Sequence, residues 1–394
     1  MNRVIILDPS CFGDLRSHHV NSVTGHAYAF SGAGLKVEIC ANIGCSITVK
    51  DATILPVFPY TIYDDYRKHY ISRHIRILRY ARQLLTGNNV HHRISKFIDE
   101  NHLDRSDHFF IPTLDWILFQ AMTRIYSART NVPSLHMLLM YEKADWMTGG
   151  YPYMKILQGI RKLQNRGNNV FVYTETREHA LHLKEILGFV PPNYPFPALP
   201  VTGAQPLPVA KDKIYVSVLG GGRRDKGYNL LPEIISTFNT SYTGNIEVVF
   251  IIQLARKEDY LEKETDLLKQ IKNVVLLDNR LSRTVYEDNL LRCHIALFPY
   301  SRVYAARGSG AVNEAIANGI PIICSRHTAL AEAITTGNGL TATTTAEFAD
   351  SITNIIGQLD IFQARAKTAM KLYLDNLLDN PVIRKINSSS VKYG

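Results

Sequence analysis

Two glycine-containing segments in the second half of the chain carry residue types that bind phosphate. In the first, an apolar run over residues 214–219 leads into glycines and basic side chains, which are Gly220, Gly221, Gly222, Arg223, Arg224 and Lys226. Glycine lets a ligand approach the backbone closely, arginine binds phosphate oxygens as a planar fork, and lysine binds them as a point charge. The pattern predicts a diphosphate site at the end of a strand. The alternative is a glycine-rich turn with solvated basic residues.

The second segment, residues 298–325, has a glycine loop before a short apolar helix. Gly308, Ser309 and Gly310 place free backbone N–H groups at the start of that helix, which is an arrangement that binds anions. Glu314 follows about one turn into the helix, where a carboxylate can accept two hydrogen bonds from a ribose diol. The alternative for Glu314 is a solvated helix residue, although its neighbours in the sequence are apolar.

Both halves of the chain alternate short apolar runs with helical stretches. The predicted strands are residues 4–7, 37–41, 53–57, 109–111, 134–139 and 170–173, then 214–219, 246–251, 274–277, 295–298 and 321–324. Strands that are apolar throughout and alternate with helices are typical of parallel sheets covered on both faces. The sequence therefore predicts an α/β protein with two doubly wound, Rossmann-like domains facing a central cleft.

A proline-rich stretch marks the predicted boundary between these domains. The chain has 394 residues, and seven prolines fall between residues 191 and 208. Proline continues neither a helix nor a central strand, so this stretch is expected to be an extended connector. We predict an N-terminal domain over 1–190, a linker over 191–210, a C-terminal domain over 211–360, and a helical segment over 361–394 that packs back on the first domain.

Together the two glycine segments resemble the donor-binding domain of retaining glycosyltransferases with the GT-B fold, specifically glycosyltransferase family 4. In that family, a basic residue and a Lys-Gly pair follow a strand. Later in the domain come a glutamate-containing loop, a helix ending in Ala-x-Gly-x-Pro, and another strand. Lys226-Gly227 and residues 314–321 match this pattern in order and spacing, and the resemblance is clear over residues 213–330.

The resemblance implies roles for individual residues. The donor diphosphate would be bound by residues from three loops, namely Gly13, Gly221, Gly222, Arg223, Arg224, Lys226, Ser309 and Gly310. Glu314 would bind the ribose, as the second glutamate of the family pattern. The first glutamate of that pattern falls at Ala306, so the contact to the donor sugar is missing or replaced. Arg307, Tyr304 and Tyr300 are the candidates to replace it.

Candidate catalytic residues are Glu142, His136 and Arg307. Residues 133–142 resemble the family strand that ends near a histidine of the catalytic cleft, but here the strand end falls at Glu142. His136 lies inside the apolar run, where a hydrogen-bonded core histidine is the alternative. After the first strand, Asp14, His18 and His19 are candidate acceptor or phosphate contacts, the alternative being a helix start capped by Ser17.

These residues and the resemblance imply transfer of a sugar from a nucleoside-diphosphate-sugar to a hydroxyl of a glycan or lipid-linked glycan, with retention of configuration. No Asp-x-Asp triplet occurs, so transfer without a metal is expected, and no cofactor is expected beside the donor. A sugar-nucleotide epimerase of the same architecture and a non-catalytic, transferase-like binding subunit are the alternatives. Nucleic acid is not an expected partner, because the basic residues lack interleaved aromatics on a recognisable module.

The formal charge of +9 indicates an acidic partner. Between Tyr66 and Phe97 there is no acidic residue, and the basic residues are Arg67, Lys68, Arg73, Arg76, Arg79, Arg82, Arg93 and Lys96. This stretch predicts a basic amphipathic helix that rests on an anionic membrane, or an ordinary surface helix.

No apolar run reaches the roughly 18 residues of a membrane span, and the first run is too short for a signal peptide. The five cysteines are odd in number and scattered, without the spacing of a zinc site or a disulfide framework. These features favour a reduced, cytoplasmic location, peripheral at the inner face of the cell membrane.

Overall fold

The computed structural model of the chain describes residues 2–12, 18–61, 76–140, 153–202, 213–256 and 260–390. The chain divides into two compact units. Unit 1 comprises Met1–Pro197 and Leu377–Gly394, and unit 2 comprises Ala198–Asn376. The change from one unit to the other falls inside the proline-rich stretch, and the end of the chain groups with unit 1.

Unit 1 is built on a parallel sheet whose described strands are mostly apolar. They are β1 (Arg3–Leu7), β2 (Lys36–Asn42), β3 (Ala52–Phe58), β4 (His108–Ile111), β5 (Ser134–Leu139) and β6 (Val170–Thr174). Their order in the sheet is β3-β2-β1-β4-β5-β6, which is the order of a doubly wound nucleotide-binding sheet. The predicted strands of this half are confirmed, with bounds that agree to within one residue at each end.

Helices cover this sheet, and their apolar stripes supply the core. They are α1 (His18–Gly32), α2 (Arg76–Glu100), α3 (Trp116–Ala128), α4 (Tyr153–Asn165) and α5 (Arg177–Leu187). In α2, Val90, Ile94 and Ile98 recur every four residues and are buried in the core of unit 1. This part of the predicted basic helix therefore packs by its apolar stripe, as the surface-helix alternative expects. Residues 66–75 of that prediction lie outside the described residues.

Unit 2 repeats the same topology. Its described strands are β7 (Lys213–Val218), β8 (Glu247–Gln253), β9 (Val274–Leu277), β10 (Ile295–Phe298), β11 (Ile322–Ser325) and β12 (Gly339–Ala342). Their order is β12-β11-β10-β7-β8-β9 and every pairing among them is parallel. From β7 the chain adds β8 and β9 toward one edge of the sheet, and from β10 it adds β11 and β12 toward the other, so the order in which strands are added reverses between β7 and β10. In open α/β sheets, ligands bind at the carboxyl ends of the two strands that flank such a reversal.

The longer helices of unit 2 are α6 (Leu231–Ser241), α7 (Glu262–Lys269), α8 (Arg283–Arg292), α9 (Gly310–Ala317), α10 (Thr345–Gly357) and α11 (Leu359–Leu378). Short 3₁₀ turns, Arg224–Lys226 and Arg302–Tyr304, lie in the loops after β7 and β10. Ser282 caps α8 by accepting from the N–H of Val285 at 3.3 Å. The last helix of the chain, α12 (Pro381–Ser390), places Lys385 Nζ 4.6 Å from the ring centroid of Phe171 on β6. None of the helices in the described part of the chain combines the length and apolar character needed to cross a membrane.

Candidate functional site

The glycine segment after β7 is held by a glutamine side chain from the neighbouring strand. Gly220 and Gly221 have φ angles of 100° and 77°, a left-handed conformation that glycine adopts without strain. Their backbone N–H groups both donate to Oε1 of Gln253, at 2.9 and 2.7 Å. The Nε2 of Gln253 donates to the carbonyl oxygen of Asn279 at 3.2 Å, which fixes the orientation of the amide. Successive N–H groups that converge on one oxygen are typical of backbone that binds anions.

Lys226 lies over this glycine segment. Its Nζ donates to the carbonyl oxygen of Gly220 at 2.6 Å and lies 5.7 Å from the ring centroid of Tyr300. Burial lowers the pKa of Lys226 to about 7, with the nearby Arg223 guanidinium as the next cause. A cation that is partly desolvated in this way gains most when an anion binds beside it.

Arg223 and Asp225 join the loop after β7 to the loop after β10. The Nε and Nη2 of Arg223 donate to the two carboxylate oxygens of Asp225 at 2.9 and 2.8 Å, and Nη2 also donates to the hydroxyl of Tyr304 at 2.8 Å. The backbone N–H of Ser301 donates to the carbonyl oxygen of Asp225 at 2.9 Å. The two loops thus form one connected surface at the carboxyl ends of β7 and β10.

Two tyrosines and an arginine line the second loop. The ring centroids of Tyr300 and Tyr304 are 4.6 Å apart, and the guanidinium carbon of Arg307 lies 5.3 Å from the centroid of Tyr304. Burial raises the pKa of Tyr300, and the nearby Ser309 side chain opposes that rise. Ser309 precedes α9, which begins at Gly310, so the N–H groups of the first helical turn lie next to this cluster. At the position of the missing family glutamate, Ala306 is buried.

The carboxylate of Glu314, on α9, is held by two side chains from α8. Arg283 Nη1 donates to its Oε1 at 3.1 Å, and the hydroxyl of Tyr286 donates to its Oε2 at 2.5 Å. The Glu314 side chain keeps 12% of its surface exposed. Its charge also raises the pKa of Lys226, against the effects of burial and of Arg223, so the two groups belong to one electrostatic cluster.

The structure brings together most of the donor-side residues predicted in unit 2. Arg223, Lys226, Tyr300, Tyr304, Arg307, Ser309, Gly310 and Glu314 share one cluster with the loop of Gly221 and Gly222. Arg224 is placed differently. Its Nη2 is 3.6 Å from Oε1 of Glu264 in α7, and 64% of its side chain is exposed. The cluster combines cations and backbone N–H groups, which can bind a diphosphate, with the Glu314 carboxylate, which can accept from hydroxyl groups.

Of the site residues predicted in unit 1, some lie outside the described part of the chain, and one lies in the core. Gly13, Asp14 and Glu142 lie outside the described residues. His136 is fully buried in β5, with Nε2 at 3.1 Å from Nδ1 of His108 and Nδ1 at 2.9 Å from the hydroxyl of Tyr173. Both of its ring nitrogens have partners inside unit 1, as the core-histidine alternative expects.

A second group of polar residues lies at the carboxyl ends of β1 and β4 in unit 1. His19 Nδ1 is 2.9 Å from Oδ2 of Asp8, and each of these residues is buried. The hydroxyl of Tyr60 donates to Asp115 at 3.0 Å, and burial raises the pKa of Asp115 to about 6. His18 begins α1 one residue before His19. Because β1 and β4 flank the reversal of direction in this sheet, this edge is the natural ligand-facing edge of unit 1.

Sequence reasoning missed Gln253, Asp225, Arg283 and Tyr286. Gln253 had a signal, since it is the polar end of a strand that is otherwise apolar from residue 248. Arg283 and Glu287 are also spaced as a helical ion pair, and their side chains meet at 2.6 Å. Nothing in the local sequence indicated that Tyr286 reaches Glu314, because the two residues are 28 positions apart and lie on two helices separated by β10.

The fold resembles that of solved glycosyltransferases. Sucrose-phosphate synthase from Thermosynechococcus elongatus aligns with a TM-score of 0.66 at 12% identity, covering 99% of each chain. A glycosyltransferase from Rickettsia africae aligns at 0.63 and 13% identity, covering 98% of this chain and 96% of that chain. An alpha,alpha-trehalose-phosphate synthase (UDP-forming) from Burkholderia vietnamiensis aligns at 0.63 and 14% identity, covering 100% and 99%. No protein-family model and no curated protein sequence matches the chain.

These similarities show that the chain has a GT-B-like fold, with two Rossmann-like domains each built on a parallel sheet. The predicted fold class is confirmed at that level. Enzymes that share a fold differ in donor and acceptor, so the chemistry must be argued from the site.

Proposed function

We propose that the protein is a glycosyltransferase that binds a nucleoside-diphosphate-sugar in unit 2 and transfers the sugar to a hydroxyl acceptor. The observation that carries this proposal is the cluster of Lys226, Arg223 and the start of α9 at the carboxyl ends of β7 and β10. That position is where doubly wound sheets bind nucleotides. The GT-B-like fold adds support, because the solved structures that share it include enzymes named as glycosyltransferases and sugar-phosphate synthases.

The cluster offers a distinct partner for each part of such a donor. Lys226 and the N–H groups at the start of α9 would bind the diphosphate. Glu314, one turn further along α9, would accept hydrogen bonds from the ribose hydroxyls. Tyr300, Tyr304 and Arg307, which are close to Ala306 in the sequence and contact one another, would contact the sugar.

The transfer requires the bond between the anomeric carbon and the diphosphate oxygen to break as the acceptor oxygen attaches. Negative charge then grows on the leaving phosphate. Prearranged cations and N–H groups stabilise that charge more than they stabilise the bound substrate, which lowers the barrier. Retention of configuration and transfer without a metal follow from the resemblance to family 4 and belong to the proposal. Residues of unit 1 would supply the acceptor side.

The test is to incubate the protein with UDP-, GDP- and ADP-linked sugars and to measure release of the nucleoside diphosphate with and without acceptors. Acceptors include simple sugars, glucose 6-phosphate, fructose 6-phosphate and lipid-linked glycans. The sugar phosphates are included because two of the structural relatives are named as synthases of sugar phosphates. Acceptor-dependent release, with a glycosidic product seen by mass spectrometry, is the expected result. Release or isomerisation without any acceptor would point instead to an epimerase.

One observation favours a second candidate, a non-catalytic subunit that binds the sugar nucleotide. Ala306, which has no group able to contact a sugar hydroxyl, is buried where the family pattern has a glutamate. Such a subunit would bind a nucleoside diphosphate in a calorimeter yet release none in the turnover assay. The pair of measurements therefore separates the two candidates.

A further inference from the structure

Both oxygens of the Glu314 carboxylate are engaged by donors from one neighbouring helix. Arg283 and Tyr286 are three residues apart on α8, so their side chains leave the same face of that helix. Arg283 reaches Oε1 at 3.1 Å and Tyr286 reaches Oε2 at 2.5 Å. The guanidinium of Arg283 also lies 5.7 Å from the ring centroid of Tyr286, so the two donors support each other. Glu314 therefore has a fixed orientation before any ligand arrives.

Both residues that bind this carboxylate are donors. Burial is the main cause that raises the pKa of Tyr286 well above its usual value, and Glu314 raises it further, so the phenol remains a protonated donor. Arg283 also binds Glu287, through Nε at 2.6 Å. One guanidinium thus donates to two carboxylates.

A fixed carboxylate can distinguish ligands by the number of hydroxyl groups that they present. An ionised carboxylate has about four lone-pair directions. Arg283 and Tyr286 use two of them, and the others remain for two donors. A vicinal diol supplies two O–H donors, whereas a sugar that lacks one hydroxyl leaves one lone pair of a partly buried carboxylate without a partner, which is costly.

We propose that Arg283 and Tyr286 are positioning residues that give the site its selectivity for ribonucleotides over 2′-deoxyribonucleotides, by orienting Glu314 toward the ribose diol. This proposal rests on the proposed function, since it takes the ribose of the donor as the ligand of Glu314. Neither residue needs to touch the nucleotide. Tyr286 holds one oxygen of the carboxylate, and Arg283 holds the other.

The experiment measures Kd by calorimetry for UDP and dUDP, GDP and dGDP, and ADP and dADP with the wild-type protein and three variants. The wild type is expected to bind one ribonucleoside diphosphate at least tenfold more tightly than its deoxy counterpart. Tyr286→Phe should reduce that preference to threefold or less, because it weakens binding of the ribonucleotide and leaves binding of the deoxynucleotide almost unchanged. Arg283→Lys should reduce the preference partly, since lysine keeps the charge but loses the fork.

The matched control is Tyr215→Phe, which removes the hydroxyl of a half-buried tyrosine that stacks on His294 at 5.8 Å between ring centroids. It should keep the wild-type preference. Partial unfolding would weaken both members of a nucleotide pair equally, so the ratio reports selectivity and not stability. A wild-type preference that survives in Tyr286→Phe overturns this inference and leaves the proposed function standing. A wild-type protein that binds none of the six nucleotides overturns both.

Discussion

The side-chain nitrogen of Lys226 lies 2.6 Å from the carbonyl oxygen of Gly220, in the loop whose N–H groups are bound by Gln253. Side chains therefore bind both sides of the peptide group between Gly220 and Gly221: its carbonyl oxygen accepts from Lys226, and its N–H donates to Gln253. A diphosphate that binds Lys226 must compete with one short internal hydrogen bond. Because that contact is to a neutral carbonyl, a charged phosphate oxygen is the stronger acceptor.

Lys226→Ala should weaken nucleoside diphosphate binding by about 1.5–3 kcal/mol, which is roughly 10- to 150-fold, because a charge-assisted hydrogen bond is lost. Arg224→Ala is the matched control, since Arg224 is two positions away and pairs with Glu264. We expect a change of less than threefold in that variant. Calorimetric titration of both variants checks this, and equal losses would place Arg224 in the phosphate site as well.

Nucleotide affinity should fall as the pH rises above 7. Lys226 has a pKa of about 7 in the unliganded protein, mainly because of burial, and the diphosphate binds its protonated form. Above that pH, binding must take up a proton, so affinity should drop by up to about tenfold per pH unit between pH 7 and 9. Calorimetry in buffers of different ionisation enthalpy measures the proton uptake directly. Lys226→Arg, which stays charged throughout, should give a nearly flat profile, and a flat wild-type profile would contradict the assignment.

Gln253→Ala should both destabilise unit 2 and weaken nucleotide binding. It removes the acceptor of two N–H groups, at a cost of about 1–3 kcal/mol of unfolding free energy. Gln253→Glu keeps an acceptor in place and should restore stability, but its negative charge should still lower diphosphate affinity. Thermal unfolding and calorimetry separate the two effects. Gln270→Ala, at the exposed end of α7, is the control and should change neither quantity.

Unit 1 should lose stability in mild acid. Burial lowers the pKa of both His108 and His179 to about 4, while an unfolded histidine titrates near 6.5. The unfolded chain therefore binds more protons, and the stability present above pH 6.5 is lost as the pH falls toward 4, at about 1.4 kcal/mol per pH unit for each histidine. Both tryptophans, Trp116 and Trp146, belong to unit 1, so urea unfolding followed by tryptophan fluorescence reports on it. The exposed His102 is the control, and His102→Gln should leave this pH dependence unchanged.

The sequence predicted the sheets well because their strands are short apolar runs, a pattern that depends only on neighbouring residues. It missed β12, whose residues Gly339–Ala342 include a glycine and a threonine and do not form an apolar run. In the candidate site, Lys226 and Glu314 were predicted from local motifs. The contacts that they make with Gly220 and Tyr286 were not predicted, because those contacts depend on how loops and helices pack, which a single sequence does not reveal.

The link between Arg223 and Tyr304 has a consequence for how this protein varies among related sequences. A change at either residue alone breaks the hydrogen bond that the guanidinium donates to the phenol, and the guanidinium is also shared with Asp225. We expect positions 223, 225 and 304 to covary, so that an ancestor or descendant lacking the arginine also lacks the tyrosine. Recruitment of the site for a new donor would then require paired substitutions across the two loops.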